Sequence, residues 1–185
     1  MVTEGIHGLV RDLEAAFASG APGGRIAELL TAYARSGSQD WHDYRFFCES
    51  GYTRNLVHRS ERFELLVLCW DAGQESPIHN HEGQDCWMGV LDGRIEELRY
   101  VTPDQVVPGP LAPTDSKVFE AGQVAFIRDD IGLHVVRGAD GRPGVSLHLY
   151  ASPYDACNVY CPDTGAISRR HFRNHSENGE LCAQG

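Results

Sequence analysis

The punctuation of this chain constrains its fold more than any single residue does. From about residue 51 to residue 160, short apolar runs are repeatedly interrupted by Gly, Pro and Asp. The runs cover residues 63–70, 86–91, 94–100, 118–119, 124–128, 134–137 and 145–150. Between them stand Asp71-Ala72-Gly73, Asp92-Gly93, Thr102-Pro103-Asp104, Gly109-Pro110 and the stretch 138–144. Gly and Asp readily adopt turn conformations and Pro lacks a ladder donor, so many short strands joined by turns are expected, as in a sandwich or barrel. Asp92-Gly93 between two apolar runs is a hairpin signal. Residues 102–116 read as a long Pro-rich loop.

The flanks differ. Residues 1–47 read as helical. Leu9, Val10, Leu13 and Phe17 recur at helical spacing, with Thr3 ahead of them as a cap. A Ser19-Gly20-Ala21-Pro22-Gly23-Gly24 break follows, then Ile26, Leu29, Leu30 and Tyr33 mark a second helix and residues 41–47 a third. Residues 161–185 are polar and weakly periodic, and read as an extension partly wrapped on the barrel. The whole of 1–185 is expected to be one domain, with its barrel over 51–160.

Composition excludes some partners. A net charge of -10 argues against nucleic acid and anionic membrane, since both repel an acidic surface. No apolar run approaches the roughly 20 residues of a membrane span. The first residues show no basic segment leading into an apolar one, so a secretory signal is not expected and the cytoplasm is the default. Six scattered cysteines, with no CxxC pair, are expected to be free thiols in that compartment. A monomer is the default expectation.

Chemistry concentrates in residues 73–93. His79 and His81 are separated by one residue, so on extended chain both imidazoles point to one face and can share an ion. A third ligand must come from elsewhere, and His134, at the start of a later run, is the candidate. Three imidazoles suit Zn, Fe, Cu or Ni. On a six-coordinate ion they leave room for a bidentate substrate and dioxygen; on four-coordinate zinc they leave one water for hydrolysis. Spacing does not choose among these metals.

Gly73, His79, His81 and Gly93 match the spacing of the first cupin motif, which this stretch resembles. One position departs: Cys86 stands where most cupins carry a metal-binding Glu. That departure points to one family. Tyr52-Thr53-Arg54-Asn55-Leu56-Val57, Leu68-Cys69-Trp70, Ile78-His79-x-His81 with Cys86 five residues on, Ile131-Gly132-Leu133-His134 and Val145-Ser146-Leu147-His148-Leu149-Tyr150 together resemble the cysteine dioxygenases that carry a Cys–Tyr thioether. The resemblance implies a mainly β, jelly-roll-like small barrel with N-terminal helices. It implies Fe(II) on His79, His81 and His134, and the addition of both atoms of O2 to the thiol of L-cysteine to give cysteine sulfinic acid.

The resemblance also assigns roles. Arg54 matches the arginine that binds the substrate carboxylate, a task suited to a guanidinium fork. Tyr52 adds a hydroxyl near it. Ser146, His148 and Tyr150 form a hydrogen-bonded relay that sets the Tyr150 hydroxyl beside the substrate. Cys86 and Tyr150 match the cross-linked pair. Alternation on one strand turns Ser146, His148 and Tyr150 one way and Val145, Leu147 and Leu149 the other. The family usually shows Ser-Pro-Pro after this tyrosine with a cis peptide before the first proline; here Ala151-Ser152-Pro153 stands instead, which leaves the geometry at Ser152 open. Cys157 matches an accessory cysteine near the pocket mouth.

Two other readings stay open on the sequence. One is a dioxygenase of another small thiol such as 3-mercaptopropionate, against which Arg54 speaks. The other is a zinc or manganese cupin isomerase or hydrolase. His171 and His175, four apart in a polar tail without an intervening HExxH glutamate, read as a solvated face.

Overall fold

Apolar stripes shape the first two elements. In α1 (Gly5–Ala18) the buried residues Ile6, Leu9, Leu13 and Ala16 recur every three or four positions, as do Ile26, Leu29, Leu30 and Tyr33 in α2 (Gly23–Ala34). The computed structural model describes residues 5–183, and the expected Thr3 cap lies outside the described residues. Within them, the Ile6 N–H donates to Asp40 Oδ2 at 2.5 Å. The Tyr33 hydroxyl donates to the other carboxylate oxygen of Asp40 at 2.8 Å. One carboxylate therefore caps the first helix and ties it to the second. The expected third helix is instead a 3-10 turn, Asp40–Tyr44, with Trp41 and Tyr44 buried. Apolar residues three apart suit the tighter turn, whose side chains eclipse at that interval.

Each apolar run of the sequence becomes a strand. In chain order the strands are β1 (Thr53–Arg59), β2 (Glu64–Trp70), β3 (Ile78–His79), β4 (Asp85–Asp92), β5 (Arg94–Arg99), β6 (Asp115–Glu120), β7 (Val124–Ile127), β8 (His134–Gly138), β9 (Gly144–Ala151), β10 (Ala156–Tyr160), β11 (Ile167–His171), β12 (Ser176–Glu177) and β13 (Glu180–Leu181). They form a seven-stranded sheet, β13-β12-β1-β2-β9-β4-β7, and a six-stranded sheet, β11-β10-β3-β8-β5-β6. Neither closes on itself among the described residues. The architecture is mainly β with N-terminal helices, as expected, but with two of them rather than three.

Asp92-Gly93 does not make a hairpin. β4 and β5 belong to different sheets, so this turn is a corner between them. Gly93 sits at φ 68°, where a Cβ would lie 2.8 Å from the Pro143 carbonyl oxygen. Only glycine allows both that backbone and that approach. The signal for a sharp reversal was local, whereas the strand partners are chosen by the rest of the sheet.

The period-two alternation of β2 and β9 divides the interior. Leu65, Val67, Cys69, Val145, Leu147 and Leu149 pack beneath the helices. Leu66, Leu68, Trp70 and Tyr150 face the second sheet. Leu65 and Leu147 are wholly buried, and each such leucine stabilises by about 1.5–3 kcal/mol. The polar tail is paired into both sheets: β11 pairs with β10, and β12 runs parallel to β1. Ser176 Oγ donates to Asn55 Oδ1 at 2.8 Å with both residues fully buried, which pins the tail to the sheet. No helix among the described residues is long and apolar enough to cross a membrane.

Candidate metal centre and its cavity

Strand pairing brings the three histidines together. His79 on β3 is the direct cross-strand partner of His134 on β8. His81 follows in a loop held by Asp129, whose carboxylate accepts the His81 N–H at 2.6 Å and the Gly83 N–H at 2.8 Å. One ring nitrogen from each histidine lies within 4.8 Å of the others. The Nε2 atoms of His79 and His134 are 3.2 Å apart. Two nitrogens bound to one ion at about 2.1 Å would stand roughly 3 Å apart, so this spacing fits.

The outer nitrogens are accounted for. His79 Nδ1 lies 3.0 Å from the Pro77 carbonyl, and His134 Nδ1 lies 3.0 Å from Glu97 Oε1. Both contacts turn Nε2 inward, as outer partners of metal-binding imidazoles do. Both ring nitrogens of His81 are buried without a hydrogen-bond partner. A buried polar group in that condition is costly; an ion at the centre would satisfy one of these nitrogens, and Asp129 Oδ1 lies 3.7 Å from the other, Nδ1. Desolvation, with His81 nearby, pushes His79 down to about 3, and burial holds His134 well below its ordinary value. The rings of His79 and His134 are therefore neutral, as metal ligation requires.

The same small cavity contains Arg54, Tyr52, Trp70, His148, Tyr150, Tyr154, Cys157 and Phe172 beside His79. Its free volume is about 20 Å³, where a single water needs roughly 10–15 Å³, so only a small substrate is compatible with it. The Arg54 guanidinium is buried; Nη2 donates to the buried Glu64 Oε1 at 3.2 Å, and Nε has no partner. The Phe172 ring lies 4.3 Å from the guanidinium carbon. Arg54 thus retains an unused donor in a dry pocket, the condition in which a carboxylate is bound most strongly.

Ser146, His148 and Tyr150 share the inward face of β9. His148 Nδ1 lies 3.2 Å from the Tyr150 hydroxyl and Nε2 lies 3.0 Å from Ser146 Oγ, which accepts the Trp70 Nε1–H at 2.9 Å. One assignment uses every proton: Ser146 donates to His148 Nε2, His148 Nδ1–H donates to Tyr150, and the phenol proton is free toward the cavity. Burial keeps His148 neutral and holds the Tyr150 hydroxyl protonated. Cys86 on β4 is the direct partner of Tyr150 on β9. Both are buried, and Cys86 is a free thiol here. Burial pushes the Cys157 thiol up to about 11, so it is inert near neutrality. The Ala151-Ser152 peptide bond, open on the sequence, is cis.

Several of these partners escaped the sequence reading. Glu97 and Glu64 are fully buried acids on the inward faces of β5 and β2. Their signal was present: a charged residue in register with Ile95, and another with Leu66 and Leu68. Phe172 gave no comparable signal. His171 and His175 join no metal-binding group among the described residues.

Comparison with known proteins agrees with this site. A family model described as Cysteine dioxygenase type I matches residues 7–162. Cysteine dioxygenase type 1 of Danio rerio is 33% identical over 167 residues, spanning 89% of this chain and 83% of the relative. That of Homo sapiens is 34% identical over 156 residues, spanning 83% and 77%. The chain belongs to the cysteine dioxygenase type I family. Among solved structures, TT1209 from Thermus thermophilus is similar with a TM-score of 0.50 and 21% identity, over 62% of this chain and 96% of that one. That likeness concerns the fold of this cysteine dioxygenase family member alone. The three histidines of this family member form a group that could hold a metal ion.

Proposed function

We propose that this protein is a mononuclear Fe(II) cysteine dioxygenase that converts L-cysteine and O2 to cysteine sulfinic acid. The observation that carries the reading is a three-imidazole cluster, without a protein carboxylate in it, whose member His79 lines the same cavity as Arg54 and Tyr150. The reaction balances without an external reductant: the thiol sulfur gives up four electrons, dioxygen takes them, and both oxygen atoms end on sulfur.

His79, His81 and His134 would hold the iron, and Cys86 in place of a fourth acidic ligand leaves the remaining positions to the substrate. Iron, when bound, supplies the redox chemistry with O2 that no side chain offers. Arg54 receives the substrate carboxylate through its unused Nε donor, while Glu64 and Phe172 fix the guanidinium plane. Tyr52, stacked on Trp70 at 4.6 Å, walls the carboxylate end. The Tyr150 hydroxyl, held through His148 and Ser146, presents a proton at the thiol end. Burial excludes water and strengthens each of these contacts.

The direct cross-strand pairing of Cys86 with Tyr150 supports a thioether between them. A bond from Cys86 Sγ to the ring carbon next to the phenol oxygen would form with two hydrogens transferred to dioxygen. The six free cysteines accord with the cytoplasm, and a monomer of one cupin domain is the working assembly, checked by light scattering.

Metal analysis followed by oxygen uptake on the iron-loaded protein tests the reading. Uptake with L-cysteine well above that with 3-mercaptopropionate, and a sulfinate product, are expected. Native zinc with no thiol oxidation after iron loading overturns the dioxygenase. Preference for 3-mercaptopropionate overturns only the choice of thiol. His134→Ala is expected to lose both metal and activity; retention of both would place the third ligand elsewhere.

A further inference from the structure

A second hollow adjoins the catalytic cavity. It has a volume of about 310 Å³ and shares Tyr52, Arg54, Arg170 and Phe172 with the inner site. Its remaining wall is Cys48, Ser50, Thr53, His171, Arg173, Asn174 and His175. No acid among the described residues lines it, although the chain carries 26 Asp and Glu against 16 Lys and Arg. Arg169, one residue before Arg170, is paired with Glu82 at 2.8 Å. Arg170 and Arg173 are exposed and pair with no carboxylate among the described residues. The groove is therefore a local concentration of positive charge on an acidic protein, with Arg54 at its inner end.

We propose that this groove is a capture site for the carboxylate of the incoming amino-thiol, with Arg170 and Arg173 as its ligands. The inference rests on the dioxygenase reading for the identity of the incoming molecule. Free cysteine is a zwitterion, so the groove attracts its carboxylate and repels its ammonium. The molecule enters carboxylate first, and Arg170, which borders both hollows, passes that group to Arg54. A wall of one charge sign raises the local concentration of the opposite charge and speeds capture, an effect that salt screens. The tail strand β11 and the turn after it supply these residues, so the tail completes the entrance as well as the sheet.

The test compares the iron-loaded wild type with Arg170→Ser/Arg173→Ser and with the charge-retaining Arg170→Lys/Arg173→Lys. Steady-state oxidation of L-cysteine is measured at two ionic strengths, and with inorganic phosphate as competitor at constant ionic strength. The serine variant is expected to lose about fivefold or more in kcat/KM, chiefly through KM. It should also lose the salt dependence and the phosphate competition seen in the wild type. The lysine variant should keep both in good part. Equal salt slopes and equal phosphate inhibition in wild type and serine variant overturn the capture site. If the wild type oxidises no cysteine, the dioxygenase reading fails instead. The groove is then decided by calorimetric titration with phosphate, where absence of saturable binding, or binding unchanged in the serine variant, overturns it.

Discussion

Glu64→Leu removes the carboxylate that faces Arg54 Nη2 at 3.2 Å while leaving the guanidinium in place. Arg54 is 7% exposed and Glu64 1%. Deleting one member of a buried pair costs about 3–5 kcal/mol, because the other charge is left desolvated. Two features of the site place the expected loss at the lower end. The Phe172 and Tyr150 rings stay at 4.3 Å and 5.6 Å from the guanidinium carbon, and such contacts are worth about 0.5–2 kcal/mol. Arg59 loses its 3.4 Å contact with Glu64 but keeps Asp155 at 2.8 Å. A loss of about 3 kcal/mol is expected, which at an m-value of roughly 2–3 kcal/mol/M lowers the urea midpoint by about 1–1.5 M. The double variant Arg54→Met/Glu64→Leu removes both charges, and a buried pair is commonly replaceable by apolar residues at little cost. It should recover most of the lost stability, to within about 1 kcal/mol of wild type, while remaining inactive. Urea unfolding of the wild type, both single variants and the double variant measures the coupling. Additive losses would refute the argument, since they would mean that Arg54 and Glu64 do not share a dry environment.

Three further outcomes follow from the site and the helices. Glu97→Gln weakens the acceptor for His134 Nδ1 and is expected to lower metal affinity by about 10–100-fold, read by competition with a chelator; unchanged affinity would remove Glu97 from the site. After turnover with cysteine, the intact mass of the wild type should fall by two hydrogens, and that of Cys86→Ser should not; an equal loss in both would place the cross-link elsewhere. Burial acts to raise the Asp40 carboxyl, but hydrogen bonds from Ser38, the Ile6 N–H and Tyr33 outweigh it and hold it below its ordinary value. Its contribution is present above the unfolded carboxylate pKa of about 3.9 and is lost as pH falls through the lower folded value. The stability gap between wild type and Asp40→Asn, about 1 kcal/mol near pH 7, should therefore shrink at about pH 3, and a constant gap would contradict this.

What was legible in the sequence was directional and local. The His79-x-His81 spacing and the alternation along 145–150 state which side chains share a face, because the extended backbone turns successive residues to opposite sides. Those patterns put Ser146, His148 and Tyr150 on one face and the apolar residues of the same strand on the other. The apolar runs also located most strands, since a strand between two layers must be apolar on one or both sides. A sharp turn at Asp92-Gly93 was legible too, but whether it joined partners in one sheet or crossed between two was not.

Which charges meet was decided only by the tertiary structure. Glu97 reaches His134 because β5 and β8 are neighbours in a particular register, and Asp40 reaches Ile6 across 34 residues of chain. Phe172 and Arg170 come to the cavity on a polar, weakly periodic tail, because β11 finds an edge at β10. Local propensity carries no information about such meetings. They are set by the long-range strand pairing that buries the most apolar surface while leaving the fewest polar groups unpaired.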